Sequence, residues 1–166
     1  MKDFFKNIYP YILIIVVVFI IKAFVITPIK VVGPSMEDTL LDGDIMLLNK
    51  FTYNYNEIER FDIVVVDYIG ELIIKRVIGL PGDLIEYKDG SLYINGDIYE
   101  EPFLSEDTYT EDFILEDRIP NDYYFVVGDN RAESKDSRII GLINKKDIEG
   151  KASYVLFPFN RFGLKK

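Results

Sequence analysis

A long apolar run near the start of the chain most constrains how this sequence can fold. Residues 8–29 are almost wholly apolar, and their one charge, Lys22, lies near the far end. A bilayer core takes about 20 residues of helix, and a lysine close to a helix end can extend its ammonium to the interface. We therefore expect a transmembrane anchor over residues 8–29, a short N-terminus over residues 1–7, and one compact domain over residues 30–166.

Two other interpretations of this run are a cleavable secretory signal and a buried core helix. The run is longer than the usual hydrophobic region of a signal, and residues 26–29, Ile-Thr-Pro-Ile, are too bulky for a cleavage site. An uncleaved anchor is therefore favoured. Lys2 and Lys6 favour a cytoplasmic N-terminus, although Lys30 weakens the asymmetry. The anchor would then hold the domain at the cell membrane, outside the cytoplasm.

The sequence beyond Pro28 consists of short strand-like segments separated by turns, without an amphipathic helix of ordinary length. This pattern predicts a mostly β fold. Asp89-Gly90 and Asn95-Gly96 indicate tight hairpins, because both central residues of a type I′ turn need positive φ. The acidic stretch 97–122 is less patterned and is typical of a surface excursion. The predicted strands are 45–48, 63–66, 72–78, 84–87, 91–94, 123–127 and 152–157.

The composition excludes several kinds of chemistry. The chain has no cysteine and no histidine, so disulfides, thiolate nucleophiles, the commonest metal ligands and the usual catalytic base are all absent. Its formal net charge is −9, which argues against a nucleic-acid partner and is typical of a soluble surface. Nothing in the composition indicates a cofactor or an oligomeric state.

Ser35 and Lys75 can together supply a nucleophile and a base. A serine hydroxyl needs a base to remove its proton, and a lysine serves when burial lowers its pKa toward the working pH. Lys75 lies in an apolar segment, residues 72–80, that can shield it from water. Each residue also has a plainer interpretation, since Gly-Pro-Ser is typical of a turn and most strand lysines face solvent.

A third segment, residues 128–138, strengthens the case for a site. Its sequence, Gly-Asp-Asn-Arg-Ala-Glu-Ser-Lys-Asp-Ser-Arg, follows a predicted strand and is dense in groups that form hydrogen bonds. Such a loop can brace an active site, although it can equally be a strand-ending turn with surface ion pairs. A divalent-ion site at Asp129 and Asp136 is disfavoured, because Arg131 and Arg138 would compete for the carboxylates.

The order of these segments resembles bacterial type I signal peptidases, which are membrane-anchored serine proteases that remove signal peptides from exported preproteins. The single anchor and short domain are similar to the Gram-positive form of the family. The resemblance extends from about residue 8 to residue 161. Four blocks carry it: residues 33–40, residues 43–45 with 49–50, residues 75–83, and residues 128–138.

The resemblance implies that Ser35 is the nucleophile, that Lys75 is the general base and that Arg76 supports the base. It also implies an antiparallel β catalytic domain lying against the membrane, with a smaller β excursion within residues 83–121. The implied partners are secretory preproteins, cut after small residues in an A-x-A-like motif, and the lipid bilayer. No cofactor or metal is implied. The residues expected to order the site are Met36, Asp129, Arg131, Ser134, Asp136 and Arg138.

Two residues depart from the family pattern. Asp38 stands where proline is usual, and Gly33 stands where some members carry a serine whose hydroxyl helps to hold the oxyanion. Oxyanion stabilisation would therefore depend on backbone N–H groups around Gly33 and Ser35. The departures leave open a second interpretation, a catalytically weak or inactive membrane-tethered module that binds exported segments. A self-cleaving repressor with the same dyad is disfavoured, because the chain lacks a DNA-binding helical domain and a basic surface.

Overall fold

A computed structural model describes residues 8–18, 26–37 and 39–165 of the chain. Residues 8–18 are helical (α1), and two one-turn helices follow later, α2 over Thr52–Tyr55 and α3 over Ser137–Ile140. Two 3₁₀ turns lie at Lys145–Asp147 and Phe159–Arg161. The remaining regular structure is β, and every pairing between described strands is antiparallel. The predicted mostly β, antiparallel fold class is confirmed.

The larger sheet carries the candidate site. Its strands run in the order β1-β2-β11-β3-β4-β9-β10, and β12 pairs with β11 beside this path. Three of the neighbouring pairs, β2-β11, β11-β3 and β4-β9, are distant in sequence, so the sheet brings together segments from both ends of the domain. Its strands are β1 (Ile26–Lys30), β2 (Ile45–Asn49), β3 (Ile63–Tyr68), β4 (Glu71–Gly79), β9 (Tyr123–Val127), β10 (Ile143–Asn144), β11 (Ile148–Phe157) and β12 (Gly163–Leu164).

A smaller sheet lies within the range where the excursion was expected. Its order is β7-β6-β5-β8. Both predicted hairpin turns are present, since Asp89 and Gly90 have φ of 49° and 77°, and Asn95 and Gly96 have φ of 56° and 92°. The sheet is built from β5 (Ile85–Lys88), β6 (Ser91–Ile94), β7 (Asp97–Tyr99) and β8 (Phe113–Ile114).

The end of the predicted anchor differs from the expectation. Residues 26–29 belong to β1, which pairs with β2 along its whole length, and residues 1–7 and 19–25 lie outside the described part of the chain. Pro28 is tolerated in this strand because β1 is at the edge of the sheet, where a missing N–H breaks no ladder. No helix in residues 8–18, 26–37 or 39–165 combines the length and the apolar character that crossing a membrane requires.

Three clusters of buried apolar side chains hold the sheets together. One lies around β2 and β11 and includes Met36 and Leu40 from the segment that carries Ser35. A second joins the end of β4 to the smaller sheet through Ile78, Ile85 and Phe125. The third packs the middle of β3 and β9 together. The turn at Ser35 is therefore anchored in the core by the residue that follows it.

Candidate active site

Ser35 lies in a turn that is fixed on both sides by backbone hydrogen bonds. Before the turn, Val31 N–H donates to the Asp44 carbonyl at 2.8 Å, and within it Glu37 N–H donates to the Pro34 carbonyl at 3.0 Å. Gly33 has φ of +85°, a conformation that favours glycine. Met36, next to Ser35, is 1% exposed. The hydroxyl of Ser35 is thus presented from a braced segment and not from a mobile tip.

Lys75 reaches this turn from β4. Its Nζ lies 2.7 Å from Ser35 Oγ, which is a short hydrogen bond across 40 residues of sequence. Lys75 is 3% exposed, so it does not occupy the solvent face that most strand lysines take. The two candidate residues are in direct contact, in the geometry that a base and its nucleophile require.

Burial also changes the protonation of Lys75. Desolvation disfavours the ammonium and lowers the pKa of Lys75 from 10.5 to about 8, although the nearby carboxylates of Asp136 and Asp129 act in the opposite direction. A substantial fraction of this amine is therefore neutral slightly above neutral pH. Neutral amine is the form that accepts a proton from a hydroxyl.

The loop of residues 128–138 packs directly against the Ser35 turn. Asn130 N–H donates to the Ser35 carbonyl at 3.1 Å. Gly128 allows this approach, because a Cβ at that position would overlap the Ser35 carbonyl oxygen and Ser134 Oγ. Any larger residue at position 128 would therefore displace the loop from the Ser35 turn.

Arg76 holds this loop against β4. Its guanidinium binds both oxygens of Asp129, with Nε to Oδ1 at 2.8 Å and Nη2 to Oδ2 at 2.6 Å. It also donates to the Phe61 carbonyl at 3.0 Å, and it lies 3.8 Å from the centre of the Phe103 ring. Arg76 is fully buried. Its guanidinium therefore acts on the site through Asp129 and through Thr39, whose Oγ1 accepts from Nη2 at 3.3 Å.

Asp136 and Arg138 form the second ion pair of the loop. Arg138 donates to both oxygens of Asp136, at 2.9 and 2.8 Å, and Gly128 N–H donates to Oδ2 at 3.0 Å. Burial raises the pKa of Asp136, but the hydrogen bonds from Arg138 and Gly128 outweigh it and the net pKa is lowered. Asp136 also caps the first turn of α3. It remains an anion that supports the loop from inside.

Arg131 extends the network into the smaller sheet. Its guanidinium contacts Glu101 and Thr110, and its Nε donates to the Gly128 carbonyl at 3.1 Å. Sequence analysis missed Glu101 and Thr110, because both lie in the acidic stretch that was interpreted as surface. No local pattern marks their pairing with a residue more than 20 positions away.

Ser134 and two family departures complete the predicted set. Ser134 is 5% exposed, and its Oγ forms no hydrogen bond with the described residues, although it lies near the Asp136 carboxylate. Gly33 N–H donates to Asp42 Oδ1 at 2.9 Å, so this donor is already engaged. Asp38 lies outside the described residues. Of the two expected backbone donors, only Ser35 N–H has no acceptor in the described part of the chain.

A small cleft opens beside the Ser35 hydroxyl, with a volume of about 100 Å³. It lies between the segment that follows β1 and the first half of β4. Because the volume is small and six of the nine lining residues are apolar, the cleft suits short aliphatic side chains. Its lining residues are Lys30, Val31, Val32, Ser35, Met36, Leu72, Ile73, Ile74 and Lys75.

A second serine and lysine occur together in a larger cavity of about 540 Å³, which includes Ser153 and Lys151. Lys151 forms an ion pair with the buried carboxylate of Asp62. This nitrogen is engaged by a carboxylate and not by the hydroxyl of Ser153. The larger cavity therefore lacks the chemistry that the small cleft has.

Comparison with known proteins identifies the family of this chain. The chain matches the family described as signal peptidase, peptidase S26, over residues 2–157. It is 40% identical over 160 residues to signal peptidase I of Bacillus licheniformis, with 90% of this chain and 86% of the relative covered. It is 37% identical over 169 residues to signal peptidase IB of Staphylococcus aureus (strain Mu50), with 89% and 86% covered. A crystal structure of a signal peptidase I from Enterococcus faecalis V583 is similar, with a TM-score of 0.52 and 37% identity over 58% of this chain and 97% of that one.

The buried amine yields a stability prediction for Lys75→Met. The pKa of Lys75 is about 8 in the folded chain, against an ordinary value of 10.5. Between these two pH values the unfolded chain binds more protons than the folded chain, so folding becomes more favourable as pH rises through that window. The free energy of unfolding of the variant should exceed that of the wild type by on the order of 2 kcal/mol at pH 7. The substitution removes a desolvation cost of about 3 kcal/mol and loses a hydrogen bond worth about 1 kcal/mol. The gain should vanish above pH 10.5.

Denaturant unfolding of the detergent-solubilised chain at pH 7 and above pH 10.5 would measure this difference. Lys151→Met is the matched control and should destabilise the fold, because it leaves the buried Asp62 carboxylate without its ion pair. A Lys75→Met variant no more stable than the wild type at pH 7 would contradict the desolvated amine.

Proposed function

This chain belongs to the signal peptidase family, peptidase S26, and on that basis we propose that it is a membrane-anchored serine endopeptidase that removes signal peptides from exported preproteins. The proposal assigns Ser35 as the nucleophile and Lys75 as the general base. The observation that carries it is the 2.7 Å contact between Lys75 Nζ and Ser35 Oγ. A base in contact with a hydroxyl beside an open cleft supports acyl transfer.

In the proposed reaction, neutral Lys75 accepts the proton of Ser35 as Oγ attacks the carbonyl carbon of the last signal-peptide residue. The tetrahedral intermediate collapses when the protonated Lys75 gives its proton to the leaving amine, and an acyl-enzyme remains on Ser35. A water molecule then attacks the ester, with Lys75 as base, and restores the free serine. The same amine accepts and returns a proton in each half of the cycle.

The oxyanion is proposed to bind the N–H group of Ser35. Gly33 N–H is occupied by Asp42, and Gly33 carries no hydroxyl to replace it. An oxyanion donor typically contributes on the order of 3 kcal/mol to transition-state stabilisation. Stabilisation of the oxyanion would therefore depend on the backbone geometry of the Ser35 turn. Buried Met36 and the hydrogen bond from Asn130 N–H hold this turn in place.

The substrate is proposed to bind as an added strand along β4. On one side β4 pairs with β3 over Glu71–Arg76, whereas on the other side β9 pairs only with residues from Arg76 to Gly79. Residues 71–75 thus have one edge without a strand among the described residues, and this edge borders the cleft. Backbone pairing would give affinity, and the small volume of the cleft would select short side chains next to the cut.

The anchor and its orientation are part of the same proposal. The apolar run that precedes β1 would place the N-terminus in the cytoplasm and the domain from β1 onward outside it at the cell membrane. Exposed aromatic side chains on the domain, Phe157, Phe159 and Phe162, support a surface that lies against the bilayer. Membrane attachment would also raise the local concentration of substrates inserted in the same bilayer.

Cleavage of a secretory preprotein by the purified chain in detergent should occur once, after a small-x-small motif. Ser35→Ala and Lys75→Ala should each reduce the rate by on the order of 10³-fold or more, because each removes a group that forms or activates the attacking oxygen. Mass spectrometry of the products locates the cut.

Ser153→Ala and Lys151→Ala provide matched controls, since they remove the same functional groups from the other cavity. Both should retain cleavage if they remain folded. No cut by folded wild-type protein would instead favour a non-catalytic module that binds exported segments.

The pH profile of cleavage should follow the protonation of Lys75. Burial lowers the pKa of this amine to about 8, so kcat/KM should rise about tenfold per pH unit below that value and level off above it. Activity should fall only in stronger alkali. A flat profile from pH 6 to 9, with chemistry shown to limit the rate, would exclude Lys75 as the base.

Membrane attachment is testable on the full chain in cells. Alkaline carbonate should leave the protein in the membrane pellet, and protease added outside spheroplasts should digest the domain of residues 30–166. Release of the protein by carbonate would overturn the anchor, and protection of the domain from external protease would overturn the orientation.

A further inference from the structure

Glu101 is a buried charged residue that the proposed mechanism does not use. It follows β7, in the segment that links this strand to β8. Its carboxylate binds Arg131 through two hydrogen bonds, from Nη2 to Oε1 at 2.6 Å and from Nη1 to Oε2 at 3.0 Å. The side chains are 7% and 1% exposed. Such a two-point geometry fixes the orientation of a guanidinium as well as its position.

Other groups complete the surroundings of this ion pair. Thr110 Oγ1 accepts from Arg131 Nη1 at 2.7 Å, and the hydroxyl of Tyr87 donates to Glu101 Oε1 at 3.2 Å. The Tyr87 ring lies 5.2 Å from the Arg131 guanidinium carbon. Tyr87 belongs to β5, so one arginine side chain is held by three separate segments of the smaller sheet region.

The same arginine is continuous with the site. Arg131 Nε donates to the Gly128 carbonyl at 3.1 Å, and its own carbonyl accepts from Arg138 Nη2 at 2.9 Å. Asn130, which lies between Gly128 and Arg131 in the sequence, donates its N–H to the Ser35 carbonyl at 3.1 Å. Four consecutive residues therefore connect the smaller sheet, the Asp136–Arg138 pair and the nucleophile turn.

We propose that Glu101 is a positioning residue for this site: it fixes Arg131, and through Arg131 it holds the loop of residues 128–138 in register with Ser35 and Lys75. The inference rests on the proposed function of that pair. It gives the smaller sheet a role in catalysis, as the support to which the loop is tied. A buried guanidinium deprived of its carboxylate is forced toward water, and the loop must move with it.

Glu101→Gln tests this role, with Glu100→Gln as the matched control because Glu100 is the exposed neighbour with the same side chain. The expected loss in kcat is roughly 10- to 100-fold, since small displacements of reacting groups have effects of that size. KM should change little, because Glu101 does not line the cleft. The control should match the wild type.

The deciding measurement is the titration midpoint of Lys75, followed by NMR of the protein labelled with ¹³C at lysine side chains and assigned with Lys75→Met. The charged groups that face Lys75 are Asp136 and Asp129, both in the loop. A displaced loop admits water, which raises the midpoint, and withdraws the two carboxylates, which lowers it. Because desolvation is the larger of the two effects, the midpoint should rise by about half a pH unit or more in Glu101→Gln. An unchanged midpoint would overturn the proposal, whatever the effect on activity or melting temperature.

This readout separates the inference from the proposed function. If the wild type cleaves no preprotein, the peptidase assignment fails, whereas the Lys75 midpoint still decides whether Glu101 positions the loop. If Glu101→Gln does not fold, Thr110→Val removes a single hydrogen bond to Arg131 without leaving a charge unpaired. This variant should move the midpoint in the same direction by a smaller amount, and an unmoved midpoint in a folded Thr110→Val protein would then overturn the proposal.

Discussion

The buried ion pair between Arg76 and Asp129 is the contact on which the arrangement of the site depends. It joins β4 to the loop of residues 128–138 across 53 positions of sequence. Two desolvated charges recover the cost of leaving water only when their geometry is close to ideal, so this pair tolerates little displacement. Lys75 precedes Arg76 on β4, and Asn130 follows Asp129 in the loop, which means that one ion pair aligns both the amine and the brace on Ser35.

The side chains of Lys75 and Arg76, which are neighbours on β4, have different roles in the site. Side chains of neighbouring strand residues point to opposite faces, so Arg76 can be fully enclosed while Lys75 reaches the cleft. Two adjacent basic residues thus have different surroundings. Both oxygens of Asp129 bind the guanidinium of Arg76, whereas burial lowers the pKa of Lys75, whose Nζ contacts the Ser35 hydroxyl. The loop that Arg76 holds lies close to this lysine, because Asp136 and Asp129 both act on its pKa.

Much of the fold was predictable from the sequence, because hairpin turns and apolar strands are local signals. Asp89-Gly90 and Asn95-Gly96 adopt the expected positive φ values. The candidate site could be named from short motifs, although its contacts could not. β1 was missed because residues 26–29 end an apolar run that was assigned to the anchor, and only the sheet shows that they pair with β2 at an edge. Glu101 was missed because a glutamate in an acidic stretch looks solvated until its distant partner Arg131 is known.

The half-paired edge of β4, where we propose that substrate binds, also affects self-association of the protein. Unpaired strand edges are the surfaces through which β proteins associate with one another and aggregate, and this edge is confined to residues 71–75. The segment is short, begins with the exposed Glu71 and ends at the buried Lys75, which limits pairing with a second copy of the protein. Colloidal stability and the proposed recognition of substrate therefore depend on the same five residues, so changes that extend or flatten this edge would also promote self-association.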